Sequence, residues 1–178
     1  MRTFISLKLS KESIQEIKNI QKQLYDSGLF IGKLTEEENL HLTLKFLGEI
    51  DEWGVEEVRE KLREIQLKKF KAKLGGIGIF SPSFVRIIWI KLDGEGVNGL
   101  QREVDDVLKG LFKGEERFMS HLTIARVKNV KDKKKFFHLL EKINVKKVEF
   151  DIESFELVRS ELFSRGPSYE VIDNFRLE

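Results

Sequence analysis

Cysteine is absent from the 178 residues. That excludes a disulfide framework, thiolate catalysis and a cysteine-held zinc site. Proline occurs only twice, and no low-complexity stretch interrupts the chain. No linker therefore divides it, and residues 1–178 should pack as a single domain. No apolar run approaches the ~20 residues that a membrane-spanning helix needs. Met1-Arg2-Thr3-Phe4-Ile5-Ser6 alternates as a strand instead of reading as a signal peptide, so the cytoplasm is the expected location. An excess of one charge is missing too: 32 Lys+Arg face 30 Asp+Glu, a net charge of +2. A bulk cationic field that coats nucleic acid is thereby excluded, and any polyanion must be met by local placement. With 40% hydrophobic and 35% charged residues, the composition is that of a folded soluble protein.

Histidine and threonine are scarce, with three and four copies, and their placement is uneven. Two of the histidines open the same phrase, His41-Leu42-Thr43-Leu44 and His121-Leu122-Thr123-Ile124. With threonine this rare, two such coincidences by chance run to roughly 1 in 2,000. The third histidine, His138, sits on a lysine-rich helix among Lys133, Lys134, Lys135 and Lys142 with no such company. It reads as a surface or half-buried side chain.

Periodicity places these phrases on strands. Residues 1–9 alternate as a strand, and Ser10 caps a helix over 11–27 that Gly28 stops. The buried stripe of that helix is Ile14, Ile17, Ile20 (or Gln21) and Leu24. A strand over 40–47 carries the first histidine phrase, and a helix over 53–67 follows with Val55, Val58, Leu62 and Ile65 inward. Strands over 70–80 and 84–92 flank a turn at Ser81-Pro82-Ser83. A helix over 97–111 then leads to a strand over 118–127 holding the second phrase. Asp132 caps a helix ending at Ile143, and strands over 145–150, 155–162 and 169–177 close the chain. Phe4–Leu9 and Ile87–Leu92 are alike in pattern, each a strand before a helix and a histidine strand. A duplicated strand–helix–strand unit explains the echo, with halves near 1–83 and 84–178.

Alternation turns His41 and Thr43 to one face of their strand and the flanking leucines to the other. His121 and Thr123 behave likewise. Were a pseudo-twofold axis to relate the two strands, two imidazoles and two hydroxyls would converge on one cleft. A tetrahedral phosphate fits such a set: hydroxyls bond its non-bridging oxygens, and imidazoles flank the attacking and departing oxygens as base and acid.

These residues carry a resemblance. The paired phrases, extended as His41–Gly48 and His121–Arg126, with Ser81-Pro82, Val85-Arg86-Ile87-Ile88-Trp89 and Gly166-Pro167-Ser168-Tyr169, resemble the two-histidine phosphoesterase superfamily. Within it the chain is most similar to the RNA 2′,3′-cyclic phosphodiesterases, also called the 2′-5′ RNA ligase (LigT/ThpR) family. The resemblance implies an α+β fold, bilobed and pseudo-twofold, with two antiparallel sheets lining a central cleft and helices outside. It implies opening of an RNA-terminal 2′,3′-cyclic phosphate to a 2′-phosphate by a monomer with no metal and no cofactor, tRNA halves being among the candidate RNA partners. It also implies a reversible 2′-5′ ligation. His41 would be the acid, His121 the base, and Thr43 and Thr123 the phosphate holders. Arg126, in the family's arginine position, would neutralise charge, and Phe46 holds the corresponding place in the first half. Arg86, Lys45 and Tyr169 are further candidates for RNA contact.

One point resists periodicity. Strict alternation turns Arg126 away from His121, so a bulge or strand end must bring it back. Phe46, among leucines, fits a core position as well as a base-stacking one. Lys91-Leu92-Asp93-Gly94 matches the Lys-x-Asp-Gly phrase of nucleotidyl-transfer ligases, but Asp93-Gly94 has a ready role as a turn. Gly75-Gly76-Ile77-Gly78 lacks the Gly-Lys-Ser/Thr of a phosphate loop and should kink a strand. The competing functional class is a module that binds RNA ends without turning them over.

Overall fold

The computed structural model describes residues 1–178. In chain order the elements are β1 (Arg2–Leu7), α1 (Lys11–Ser27), β2 (Phe30–Leu34), β3 (Leu42–Glu49), α2 (Glu52–Leu62), β4 (Phe70–Ile79), β5 (Ile87–Asp93), α3 (Glu95–Val107), β6 (His121–Val130), α4 (Lys133–Lys142), β7 (Glu149–Ile152), β8 (Ser154–Phe163) and β9 (Gly166–Arg176). A 3₁₀ turn at Glu37–Asn39 precedes β3.

Local chemistry accounts for the helix ends. Ser10 Oγ accepts the Ser13 N–H at 3.1 Å, and Gly28 adopts φ 63°, a left-handed stop that a side chain would strain. Asp51 and Asp132 cap α2 and α4 by accepting the Gly54 and Lys135 N–H groups. On α1, Ile17, Ile20 and Leu24 are fully buried, Gln21 is buried beside them, and Ile14 is only half-buried. The helix α2 ends at Leu62, short of the periodic stretch to residue 67, although Ile65 beyond it stays buried. The 118–127 strand begins three residues late, at His121, and the 145–150 strand begins at Glu149. Strand β2 and the 3₁₀ turn fall in a stretch that periodicity left unassigned.

Two antiparallel sheets form, with strand orders β3-β1-β8-β9 and β2-β6-β5-β4-β7. Each histidine strand lies beside the strand that precedes its own half's helix: β3 beside β1, and β6 beside β5. One strand from the later part of each half crosses over, β4 after α2 and β8 after α4 and β7. Strand β4 pairs with β5 in one sheet, and β8 pairs with β1 in the other. The helices also cross, since Gln21 of α1 bonds to β6 and Asp105 of α3 bonds to Lys45 of β3. A boundary at residue 83 thus divides the chain but does not separate the two sheets. One hydrophobic cluster of 35 buried residues runs through both sheets and all four helices, which holds the sheets together as one core.

The competing phrases resolve into structure. Asp93-Gly94 is the turn into α3, where Gly94 takes φ 154°, and Lys91 pairs with Asp93 on the surface. Gly75 and Gly76 form a bulge in β4, the register to β5 jumping from Leu74↔Leu92 to Ile77↔Ile90.

Candidate active site

Both histidine strands lose their alternation at the same place. Along β3, Thr43 pairs with Ser6 and Lys45 with Ile5, so Leu44 is an extra residue. Along β6, Thr123 pairs with Trp89 and Ala125 with Ile88, so Ile124 is extra. Each bulge sends two successive side chains inward, Leu44 with Lys45 and Ile124 with Ala125, all buried. The next residue then emerges on the histidine side. In the first half that residue is Phe46, 66% exposed; in the second it is Arg126. The face that strict alternation denied Arg126 is supplied by this bulge.

Different interactions hold the two bulges. The Gln21 side-chain amide donates to the Ile124 and Thr35 carbonyls, each at 2.9 Å. The Thr35 N–H also reaches Ile124 O, and its hydroxyl donates to Thr123 O. In the first half Lys45 Nζ, 2% exposed, donates to Asp105 Oδ1 at 2.6 Å and to Lys113 O at 2.7 Å. Burial pushes the Asp105 carboxyl up, but hydrogen bonds from Lys45, the Glu115 N–H and Gln101 outweigh it and hold the group below its ordinary value. Lys45 is therefore not an RNA contact as its place in the motif suggested. The bulge has turned it into the core.

The imidazoles are oriented alike. His41 Nδ1 lies 2.8 Å from Asn39 O, and His121 Nδ1 lies 2.8 Å from Met119 O. A carbonyl only accepts, so each Nδ1 carries the hydrogen and each neutral ring leaves Nε2 bare. The surroundings differ. His41 stacks on Phe4 with centroids 4.9 Å apart, meets Tyr169 edge-on at 5.2 Å, and takes the Thr43 hydroxyl on Nε2 at 3.0 Å. Burial lowers its pKa below the ordinary histidine value, partly offset by the Asn39 carbonyl and the Glu156 carboxylate. His121 meets only the edge of Phe80, at 4.9 Å, and its Nε2 has no protein partner. Burial also raises the Tyr169 phenol above its ordinary value.

One cavity of about 640 Å³ joins the two halves. His41, Thr43 and Phe46 line it from one sheet; His121, Thr123 and Arg126 line it from the other; Tyr169 and Leu162 close one side. The volume is well beyond a phosphate and is of the order that holds a nucleotide. Arg2, Lys33 and Arg126 supply positive charge, and Glu36 is the single carboxylate in the lining, already paired with Lys33. No group of three or more histidine, cysteine or carboxylate side chains is placed to hold a metal ion. Arg86 is not in the lining; its guanidinium stacks 4.1 Å over the exposed Phe84 ring.

Sequence reasoning missed Arg2 and Lys33. Lys33 lies on β2, directly opposite Arg126. Gly32 was the available signal: a Cβ there would sit 2.1 Å from Arg126 O, so the close approach of β2 to the bulged strand requires glycine.

Comparison with known proteins matches this geometry to a family. The LigT-like phosphoesterase profile matches twice in tandem, over residues 7–89 and 90–169. The chain belongs to the LigT-like phosphoesterase family. Among its relatives, the RNA 2′,3′-cyclic phosphodiesterase of Methanocaldococcus jannaschii is 39% identical over 97% of this chain and 98% of its own. That of Aquifex aeolicus is 35% identical over 99% and 97%. A Thermus thermophilus crystal structure superposes with a TM-score of 0.82 at 27% identity, covering 99% of this chain and 97% of its own. E. coli LigT in apo form gives 0.79 at 19% identity, covering 99% and 96%, a likeness of fold. The α+β architecture with two antiparallel sheets is thus the family's own.

Proposed function

We propose that this phosphoesterase opens the 2′,3′-cyclic phosphate at an RNA end, giving a 2′-phosphate and a free 3′-hydroxyl. The observation that carries the reading is the pair of imidazoles, each with Nδ1 tied to the carbonyl two residues upstream, lining one nucleotide-sized cavity. The names borne by relatives that align over nearly the whole chain support the same substrate.

In the proposed step, His121 Nε2 takes a proton from water as the water oxygen attacks phosphorus. The P–O3′ bond breaks, and His41 Nε2 delivers a proton to the departing 3′-oxygen. Thr43 and Thr123 donate hydrogen bonds to the non-bridging oxygens, and Arg126 neutralises the charge that accumulates there. Burial disfavours the imidazolium form of His41 in the free protein. A phosphodiester anion in the cavity opposes this preference, because opposite charge stabilises the protonated ring. Phe46 offers an exposed ring for a base.

With a 5′-hydroxyl in place of water as the nucleophile, the same step breaks P–O3′ and makes a 2′-5′ linkage. It needs no ATP, since the cyclic ester is the activated group. RNA ends of this kind, cleaved tRNA among them, are the proposed substrates. A monomer suffices, because both half-sites belong to one chain, and the cytoplasm is the proposed compartment. No helix is long and apolar enough to cross a membrane.

The test is incubation with a nucleoside 2′,3′-cyclic phosphate, with and without EDTA, followed by identification of the product isomer. The reading predicts the 2′-phosphate at equal rates in both. A 3′-phosphate product, or no turnover, would contradict it.

A further inference from the structure

The net charge of +2 gives no general pull on a polyanion, so an RNA body must be met by a local surface. One surface meets the requirement. Beyond the bulge at Ile124, strand β6 carries Arg126 and Lys128 on its exposed side. A second register jump, from Gly32↔Val127 to Ile31↔Asn129, makes Lys128 an extra residue, and both Lys128 and Asn129 stay exposed. The chain then passes Lys131 into α4, whose first turns present Lys133, Lys134 and Lys135, all exposed. From residue 126 to 135 six cations meet one acid, Asp132, and that carboxylate is occupied in capping the helix.

The loop between β4 and β5 lies against this row. Lys133 Nζ donates to Ser83 O at 3.2 Å, and the Val127 N–H donates to Arg86 O at 2.8 Å. That loop exposes Phe80, whose ring touches His121, and Phe84, 61% exposed with Arg86 stacked on it. Cations in a row with accessible aromatic faces beside them form the combination that binds single-stranded nucleic acid. The cations nearby are mostly paired: Lys33, the cross-strand neighbour of Arg126, pairs with Glu36, and Arg159 on the other sheet pairs with Glu161 and Glu170. Arg2 stands alone on that other sheet, whereas Arg126, Lys128, Lys131, Lys134 and Lys135 form a continuous row with no carboxylate partner.

We infer that the single-stranded RNA immediately 5′ of the cyclic phosphate leaves the cavity past Arg126 and runs along Lys128, Lys131 and the start of α4, with a base stacked on Phe84. The inference rests on the function proposed above. A cyclic phosphate occupies the 3′ end, so the rest of the chain departs on its 5′ side, and charge selects this exit.

The test compares two substrates: a nucleoside 2′,3′-cyclic phosphate, which fills the cavity alone, and an oligoribonucleotide of about eight residues with the same end, a length within single-strand site sizes. The wild type should favour the oligonucleotide. Lys128→Ala/Lys131→Ala/Lys134→Ala should lose about tenfold or more in kcat/KM on the oligonucleotide, through KM. It should also lower the slope of log KM against log salt by about 2, since three single-strand phosphate contacts are gone. Phe84→Ala should lose about fivefold on the oligonucleotide. Both variants should keep wild-type turnover of the mononucleotide, which also shows that they fold. Equal wild-type kcat/KM on the two substrates, or losses shared by both in the variants, would overturn the RNA path while leaving the proposed reaction intact. Failure of the wild type on both substrates would overturn the reaction, and the path with it.

Discussion

The two halves of the site are copies in backbone and unlike in chemistry. Each sets a histidine at the start of a strand, ties its Nδ1 to a carbonyl two residues back, and bulges at the same position after the threonine. The residue emerging from the bulge is then an apolar ring in one half and a guanidinium in the other. One imidazole is packed between Phe4 and Tyr169, and the other has a free Nε2. In the proposed reaction the matched backbone meets a symmetric requirement, an imidazole on either side of a phosphate. The unlike emerging residues meet an asymmetric one, since the proposed nucleotide has a charged end and an aromatic end.

Four experiments bear on this comparison, in order of expected size. Symmetric necessity predicts that His41→Ala and His121→Ala each lower kcat by about 10²–10⁴-fold with modest change in binding, measured by steady-state kinetics. A loss confined to one histidine would break the pairing. Second, the first bulge rests on the ion pair between buried Lys45 and half-buried Asp105. Lys45→Ala should cost about 3 kcal/mol in urea unfolding, because the half-buried Asp105 loses its charged partner and a buried side chain is removed. Lys45→Met/Asp105→Leu should recover much of that loss, and no loss in the single variant would show that the pair does not hold the bulge. Third, Arg126→Ala removes charge-assisted contacts worth about 1.5–3 kcal/mol and should lower kcat/KM by about 10–150-fold. Phe46→Ala should act on KM alone, and equal kinetic signatures would erase the division between a charged and an aromatic half.

Fourth, the two imidazoles differ in surroundings. His41 should titrate below 6.5 by NMR in the free protein and move upward when inorganic phosphate fills the cavity. A histidine with a depressed folded pKa stabilises the fold above its unfolded pKa of about 6.5, and that stability is lost as pH falls through the folded value. His41→Gln should therefore flatten the decline of stability on the acid side of 6.5. An unchanged profile would contradict the burial assigned to this ring.

Much of this was legible before any coordinates. Ser10 and Gly28 bound α1 where capping chemistry put them, and the repeated phrases marked two strands and one duplication. Alternation showed that Arg126, if it serves the site as the resemblance implies, needs a bulge or a strand end to bring it back. What alternation could not reveal was that Lys45 and Phe46 trade faces, because a bulge leaves no mark in residue type when both neighbours are large. Strand β2 was illegible for a related reason. Its five residues include Gly32 and Lys33, and it gains order from pairing with β6, which lies nearly a hundred residues away in sequence. The exchange of β4 and β8 between sheets was equally hidden, since periodicity identifies strands but not their partners. Ile65 lengthened α2 on paper because a residue just past a helix can stay buried.

A crystal structure with a nucleoside 2′-phosphate in the cavity tests the central claim most directly. The account predicts both Nε2 atoms, of His41 and His121, within about 3.2 Å of oxygens on one phosphorus atom. A phosphate held by a single histidine, with the other ring facing away from it, would contradict the account.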